Sequence, residues 1–210
     1  MNCAASSILS ISLVLFLTTL FGGCASGGGG SARLASPYST PAEDSRNTLK
    51  AQELTQQGVK VMDDDPEKAE TLFREALTYD IMFGPGHSNL GVMHLRNGLL
   101  FEAASEFEWA RKLMPGHPDP RMNLALTLER AGRVDEALCT YDTALEVYPN
   151  HMPTMQALSR LQLRHGKPDG RTKDMLQQIA LGGKDESWRS WAREQLIRME
   201  GSDGQVVAPG

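Results

Sequence analysis

The chain has 210 residues, 40% of them apolar and 22% charged, with a net charge of −5 at neutral pH. That acidic balance argues against a general nucleic-acid binder, which needs a basic face, and the apolar fraction is ample for a packed core. One domain of moderate size fits between a low-complexity start and a short polar end.

The first element is an uncharged apolar run, Ile8 to Phe21, which breaks off at Gly22, Gly23 and Cys24 and dissolves into "ASGGGGS". Such a run suits the apolar segment of a secretory signal. A buried core helix is excluded, because no side of the run is polar enough to face water. The two small residues before Cys24 resemble the lipobox of bacterial lipoproteins, although Phe21 stands where leucine is usual and no Lys or Arg precedes the run. The resemblance implies cleavage before Cys24 and a lipid on it. Two other readings stay open: an uncleaved anchor, since Ala4 to Gly23 approaches the ~20 residues of a spanning helix, and ordinary secretion. Residues 1–23 are thus read as a signal peptide and 24–48 as a flexible tether. Cys3 leaves with the signal and Cys24 carries the lipid, so Cys139 is expected to have no disulfide partner, and the fold must be held by packing.

Next comes "DDDPEKA". Asp65 before Pro66 reads as a helix N-cap with proline in the first turn, and acidic residues suit that end of a helix better than they indicate a cation site. From there an internal repeat takes over. Placing Ala103 over Ala137 puts Phe107 on Tyr141, Ala110 on Ala144 and Pro115 on Pro149, every pair 34 residues apart. Upstream, Leu90, Arg96 and Gly98 fall on Leu124, Arg130 and Gly132, and one interval further on Leu158, Arg164 and Gly166. One interval back stand Ala69, Phe73 and Ala76. This period predicts paired amphipathic helices, the first ending at a glycine able to turn left-handed, with small residues letting helices approach and large ones filling the gaps.

Over about Lys50 to Leu181 the sequence resembles tetratricopeptide-repeat (TPR) proteins. The resemblance implies an all-α superhelical solenoid of three to four helix-turn-helix units at 50–83, 84–117, 118–151 and a degenerate 152–181, together forming a domain at 49–181. The first helix of the first unit runs one residue out of register, Ile81 stands where the family has proline, and Arg171 falls where the fourth unit should carry a small residue. "DESWRSWAREQLIRM" places Trp188, Trp191, Ala192, Leu196 and Met199 on one stripe, which suits a capping helix at 182–200 and makes the two tryptophans a secondary candidate for a partner site. Residues 201–210 are expected to be a disordered tail.

No catalytic, metal or cofactor constellation emerges. His87 and His94 are too widely spaced for a zinc pair and occupy positions where the family packs aromatics, and "GGGGS" has no lysine or helix after it to make a phosphate loop. The resemblance implies binding instead: first helices of successive units line a groove for an extended peptide or helix. Here that groove would present Ser88, Asn89, Val92, Met122, Asn123, Leu126, Gln156 and Arg160. Arg96, Arg130 and Arg164 form a ladder near the first-helix ends, either complementing helix dipoles or attracting an acidic partner. Ser88, Asp119 and Met122 replace the basic residues of the family's carboxylate clamp, so that activity is not expected.

In architecture the chain is similar to TPR lipoproteins that assist pilus or secretin assembly. The expected function is a membrane-anchored scaffold of the bacterial envelope, with no enzyme activity and no cofactor. A regulatory subunit of a cell-wall enzyme and a link between membrane and wall are the alternatives. Ala25, rather than aspartate, after the lipidated cysteine implies an outer-membrane address facing the periplasm. An uncleaved helix would place the chain in the inner membrane instead.

Overall fold

The computed structural model describes residues 46–203, with side chains through 201. The signal, Cys24, most of the tether and the last seven residues lie outside the described residues. Within them every regular element is helical: α1 (Thr48–Val61), α2 (Pro66–Tyr79), α3 (Gly84–Arg96), α4 (Leu100–Leu113), α5 (Pro118–Arg130), α6 (Val134–Val147), α7 (Met152–Arg164), α8 (Thr172–Gly182) and α9 (Glu186–Asp203).

Successive helices pack on one another along the whole series, and α1 also touches α3, as α3 touches α5. The first helices of the first three units therefore form an inner row. The second helices, α2, α4 and α6, spread on the outer side. This is the all-α solenoid expected from the period.

The reasons are local and recur. Gly98, Gly132 and Gly166 have φ of 75°, 76° and 62°, the left-handed region that side chains with a Cβ disfavour. Each follows a first helix and closes it with a pair of bonds to the last turn. Leu99 N–H donates to His94 O at 2.9 Å, Arg133 to Leu128 O at 2.9 Å and Lys167 to Gln162 O at 2.8 Å. Asp65 caps α2 through the Lys68 N–H at 3.0 Å, with Pro66 opening the helix. Between paired helices the small columns are fully closed: Ala69, Ala103 and Ala137 are all 0% exposed, as are Phe73, Phe107 and Tyr141.

The two units that depart from the pattern do so by sliding. A Cβ on Gly58 would meet the Phe73 ring at 2.5 Å, just as one on Gly91 would meet Phe107 at 2.7 Å. These glycines are 33 residues apart while the rings are 34 apart, so α1 sits one residue out of register, as its sequence indicates. The fourth unit differs from its sequence reading. Arg171 does not enter the small position: it is exposed, and its guanidinium lies 2.7 Å from Asp142 and 3.2 Å from Asp169. One extra residue in the turn after Gly166 slides α8, so Thr172, Leu176 and Ile179, all fully buried, take the places held by Ala137, Tyr141 and Ala144. The unit is displaced by one residue, with its packing kept.

The far end is closed by α9. Trp188 and Trp191 meet edge to face at 5.2 Å and pack with Leu196 and Met199 against the core around buried Ala192. Arg189 pairs with Glu186, Arg193 with Glu186 and Arg198 with Glu194 on the wet side. The helix continues to Asp203, past Glu200. Cys139 is disulfide-bonded, contrary to the expectation that it lacks a partner.

Candidate peptide groove

The expected groove residues lie on α3 and α5 of the inner row and on α7, which meets α5 where Arg160 and Arg164 face Glu129. Ser88, Asn89, Val92, Met122, Asn123, Leu126, Gln156 and Arg160 are all half-buried, anchored at their bases and open at their tips. Val92, Met122 and Leu126 rest on the main core cluster, which fixes their direction. The slide of α1 adds a residue that spacing alone did not supply. Val59 stands one residue after Gly58 as Val92 stands after Gly91, and it is 46% exposed. The row therefore reads Val59, Val92, Leu126, Arg160: three apolar side chains and then a cation.

The two asparagines are not equivalent. Asn89 Nδ2 donates to Pro85 O one turn back in its own helix at 2.8 Å, which uses part of its amide. The Asn123 side chain makes no hydrogen bond to any described residue, while its backbone carbonyl also accepts from Thr127 Oγ1 at 2.8 Å. A half-buried amide with both donors and acceptor open is suited to a ligand's backbone. Asn123 is the stronger of the pair.

The arginine ladder does a specific job. Arg96 Nη1 donates to Met62 O at 3.3 Å and to Asp63 at 2.9 Å, and Arg130 Nη1 donates to Leu95 O at 3.1 Å. Arg164 Nη2 reaches Glu129 at 2.6 Å. Each guanidinium thus reaches back to the end of the preceding unit's first helix, where negative potential collects. The ladder staples neighbouring units, and Arg96 and Arg164 keep about half of their side-chain surface in water (47% and 52%).

Glu129, whose side chain is only 8% exposed, is the hub at the fourth-unit end. Besides Arg164 it accepts the Tyr141 hydroxyl at 3.2 Å and lies 3.5 Å from Arg160. Burial first, then the Glu129 charge and hydrogen bond, push the Tyr141 hydroxyl far above its usual range, so it remains a donor at any physiological pH. Two cations against one carboxylate leave this end of the groove net positive. The repeat pattern marks Arg160 and Arg164 but not Glu129, because nothing in it signals a pairing across 35 residues.

An outer feature breaks the repeat. Phe101 and Trp109 on α4 are 84% and 47% exposed, beside a cleft of about 520 Å³ floored by Leu124 and Leu128. At the same repeat positions other units carry Glu67 and Asp135, and Glu75 and Thr143. Among the described residues no group of three or more His, Cys, Asp or Glu side chains is arranged to hold a metal, and no helix is long and apolar enough to cross a membrane.

Glycine-closed first helices, alanine columns and a half-open inner row define a tetratricopeptide-repeat solenoid. The family model of the tetratricopeptide repeat matches residues 94–166, from the end of α3 through α7. Among solved structures, a thermophilic TPR protein of Thermus thermophilus is similar at 20% identity, over 71% of this chain and 82% of that one, with a TM-score of 0.59. A tetratricopeptide repeat protein from Parabacteroides merdae is similar at 21% identity, over 73% of this chain and 61% of that one, with a TM-score of 0.59. The first TPR of Spaghetti (RPAP3), bound to the HSP90 peptide SRMEEVD, is similar at 17% identity, over 58% of this chain and 98% of that one, with a TM-score of 0.55. No curated protein sequence matches the chain.

Proposed function

We propose that the domain is a non-catalytic scaffold that holds a segment of a partner protein along the inner row. The observation that carries this reading is the run of Val59, Val92 and Leu126 beside the open amide of Asn123. Apolar tips take up alternate side chains of an extended segment while the amide holds its backbone. The net positive end at Arg160 and Arg164 favours an acidic residue there and speeds association at low salt. A repeat domain seen with a peptide in the RPAP3 structure supports the mode of binding, though not the identity of the ligand.

Asn123→Ala should weaken partner binding roughly tenfold, the worth of one backbone hydrogen bond in a desolvated groove. Asn89→Ala should cost less. Binding is measured by titrating a partner captured from solubilised envelope, with helix content as the folding control. Equal affinity of wild type and the Asn89→Ala, Asn123→Ala double variant would place the site elsewhere, with the Trp188–Trp191 helix as the next surface.

For the chain as a whole we propose a lipoprotein attached through Cys24 to the envelope, at the outer membrane facing the periplasm, where the groove serves assembly of a pilus, secretion or other envelope complex. The apolar run, the two small residues and the glycine-rich tether support this reading. Cys24→Ser should leave an unprocessed precursor and abolish fatty-acid labelling. Normal labelling of that variant would remove lipidation at Cys24, and an unprocessed wild-type chain in the inner membrane would favour the anchor helix.

A further inference from the structure

The joint between the first and second units buries a titratable ring that the groove does not use. His87 opens α3 at a position where the next units carry Arg121 and Met155, and it is 6% exposed. Its Nδ1 lies 2.6 Å from Glu106 Oε2 on α4, and its Nε2 lies 2.7 Å from Ile81 O in the turn between α2 and α3. An ionised carboxylate and a backbone carbonyl only accept, and a neutral imidazole has one N–H to give. A neutral ring beside an ionised Glu106 would therefore leave one lone pair facing another acceptor in a site with little water. One further proton resolves this, whether it rides on Nδ1 or on the Glu106 oxygen across that short bond.

We propose that His87 is a pH-dependent latch: with its extra proton it ties the α2–α3 turn to α4, and losing that proton loosens the joint between the first and second units. The groups around the ring agree. Glu106 is the carboxylate supplied by α4. In the turn, Asp80 is already held by Arg46 at 2.7 Å and Thr48 at 2.7 Å, so it does not compete for the ring. Trp109 stacks on His87 at 6.0 Å and 21°, covering it from the outer side, and Lys112 lies 5.4 Å from that indole. Burial opposes the charge, but the hydrogen bond to Glu106, the Ile81 carbonyl and the Glu106 charge outweigh it and raise His87 above the usual histidine value. A raised folded value means the latch is complete below the unfolded value of about 6.5 and is lost as pH climbs through the folded one.

The position gives the latch a consequence. Ser88 and Asn89 follow His87 directly on α3, and Val59 and Val92 lie on either side of the joint, so the latch sets the spacing of the first half of the groove. That consequence rests on the groove reading; the latch itself does not, and it is tested without any partner.

The test is a nitrogen-15 NMR titration of the histidine rings in the full-length chain held in detergent, with His87→Gln assigning the resonance. At pH 7 His87 should show both ring nitrogens protonated, or one proton shared with Glu106, and its midpoint should lie above the usual histidine value of about 6.5. Glu106→Gln should lower the midpoint by about one unit, a tenfold loss in proton affinity. Because either variant can perturb folding, the wild-type spectrum decides first: a free neutral tautomer of His87 at pH 7 overturns the proposal. So does a thermal-midpoint difference between wild type and His87→Gln that stays constant from pH 6 to pH 9, since the latch requires it to shrink.

Discussion

Replacing Ala137 by arginine should cost several kcal/mol and lower the thermal midpoint by roughly 10 °C or more. Ala137 is 0% exposed on α6 and belongs to the core cluster that includes Tyr141 and Ala125. A guanidinium there either pushes α6 off its partner or buries a charge in a packed apolar seam. The fourth unit supplies a natural contrast. Arg171 stands 34 residues after Ala137, yet it sits outside because the longer turn moves Thr172 into the buried place. Thr172→Arg should thus be about as damaging as Ala137→Arg, while Arg171→Ala should cost no more than an exposed ion pair, about 1 kcal/mol or less. A melting curve of Ala137→Arg that overlays wild type would show that the helices are not packed as described.

The second large effect lies at the start of the domain. Asp80 has a fully buried side chain that accepts Arg46 Nε at 2.7 Å, Arg46 Nη2 at 3.1 Å, Thr48 Oγ1 at 2.7 Å and the Met82 N–H at 3.0 Å. It joins the residues before α1 to the turn after α2 and so closes the first unit. Asp80→Ala leaves four donors without their acceptor, and the loss should be about 3 kcal/mol, as for breaking a largely buried ion pair from one side. The pH dependence has a definite sign. Burial pushes the Asp80 carboxyl up, but the hydrogen bonds from Arg46, Thr48 and Met82 and the Arg46 charge outweigh it, and the group titrates below its usual value. Its contribution is therefore present above the unfolded value of about 3.9 and lost as pH falls through the folded one. In denaturant titrations the gap between wild type and Asp80→Ala should be wide at pH 7 and should narrow in strong acid. An equal gap at both ends would assign the effect to packing alone.

Most of the fold is legible in the sequence because its determinants are short-range and repeated. Gly98, Gly132 and Gly166 mark helix ends through one backbone angle, and the columns headed by Ala103 and Phe107 mark helix contacts through size alone. The α1 slide is also visible, since Gly58 and Phe73 keep their chemistry while their spacing changes. The α8 slide is not, because threonine replaces alanine at the buried place and an arginine occupies the interval where alanine is expected. The groove positions follow from the period, but the states of their side chains do not. Asn89 and Asn123 look alike in sequence, and only packing shows that one bonds its own helix while the other stays open. Likewise the backward reach of Arg96 and Arg130 depends on carbonyls of another unit, which carry no sequence mark.

Site-specific photo-crosslinking tests most directly whether the inner row is the binding face. A benzophenone side chain placed at Val92 or Leu126, and separately at Glu75 on the outer face of α2, would be illuminated in intact cells and its adducts identified. The account predicts the same protein adduct from Val92 and Leu126 and none of it from Glu75. An adduct that forms from Glu75 but from neither inner position would contradict it.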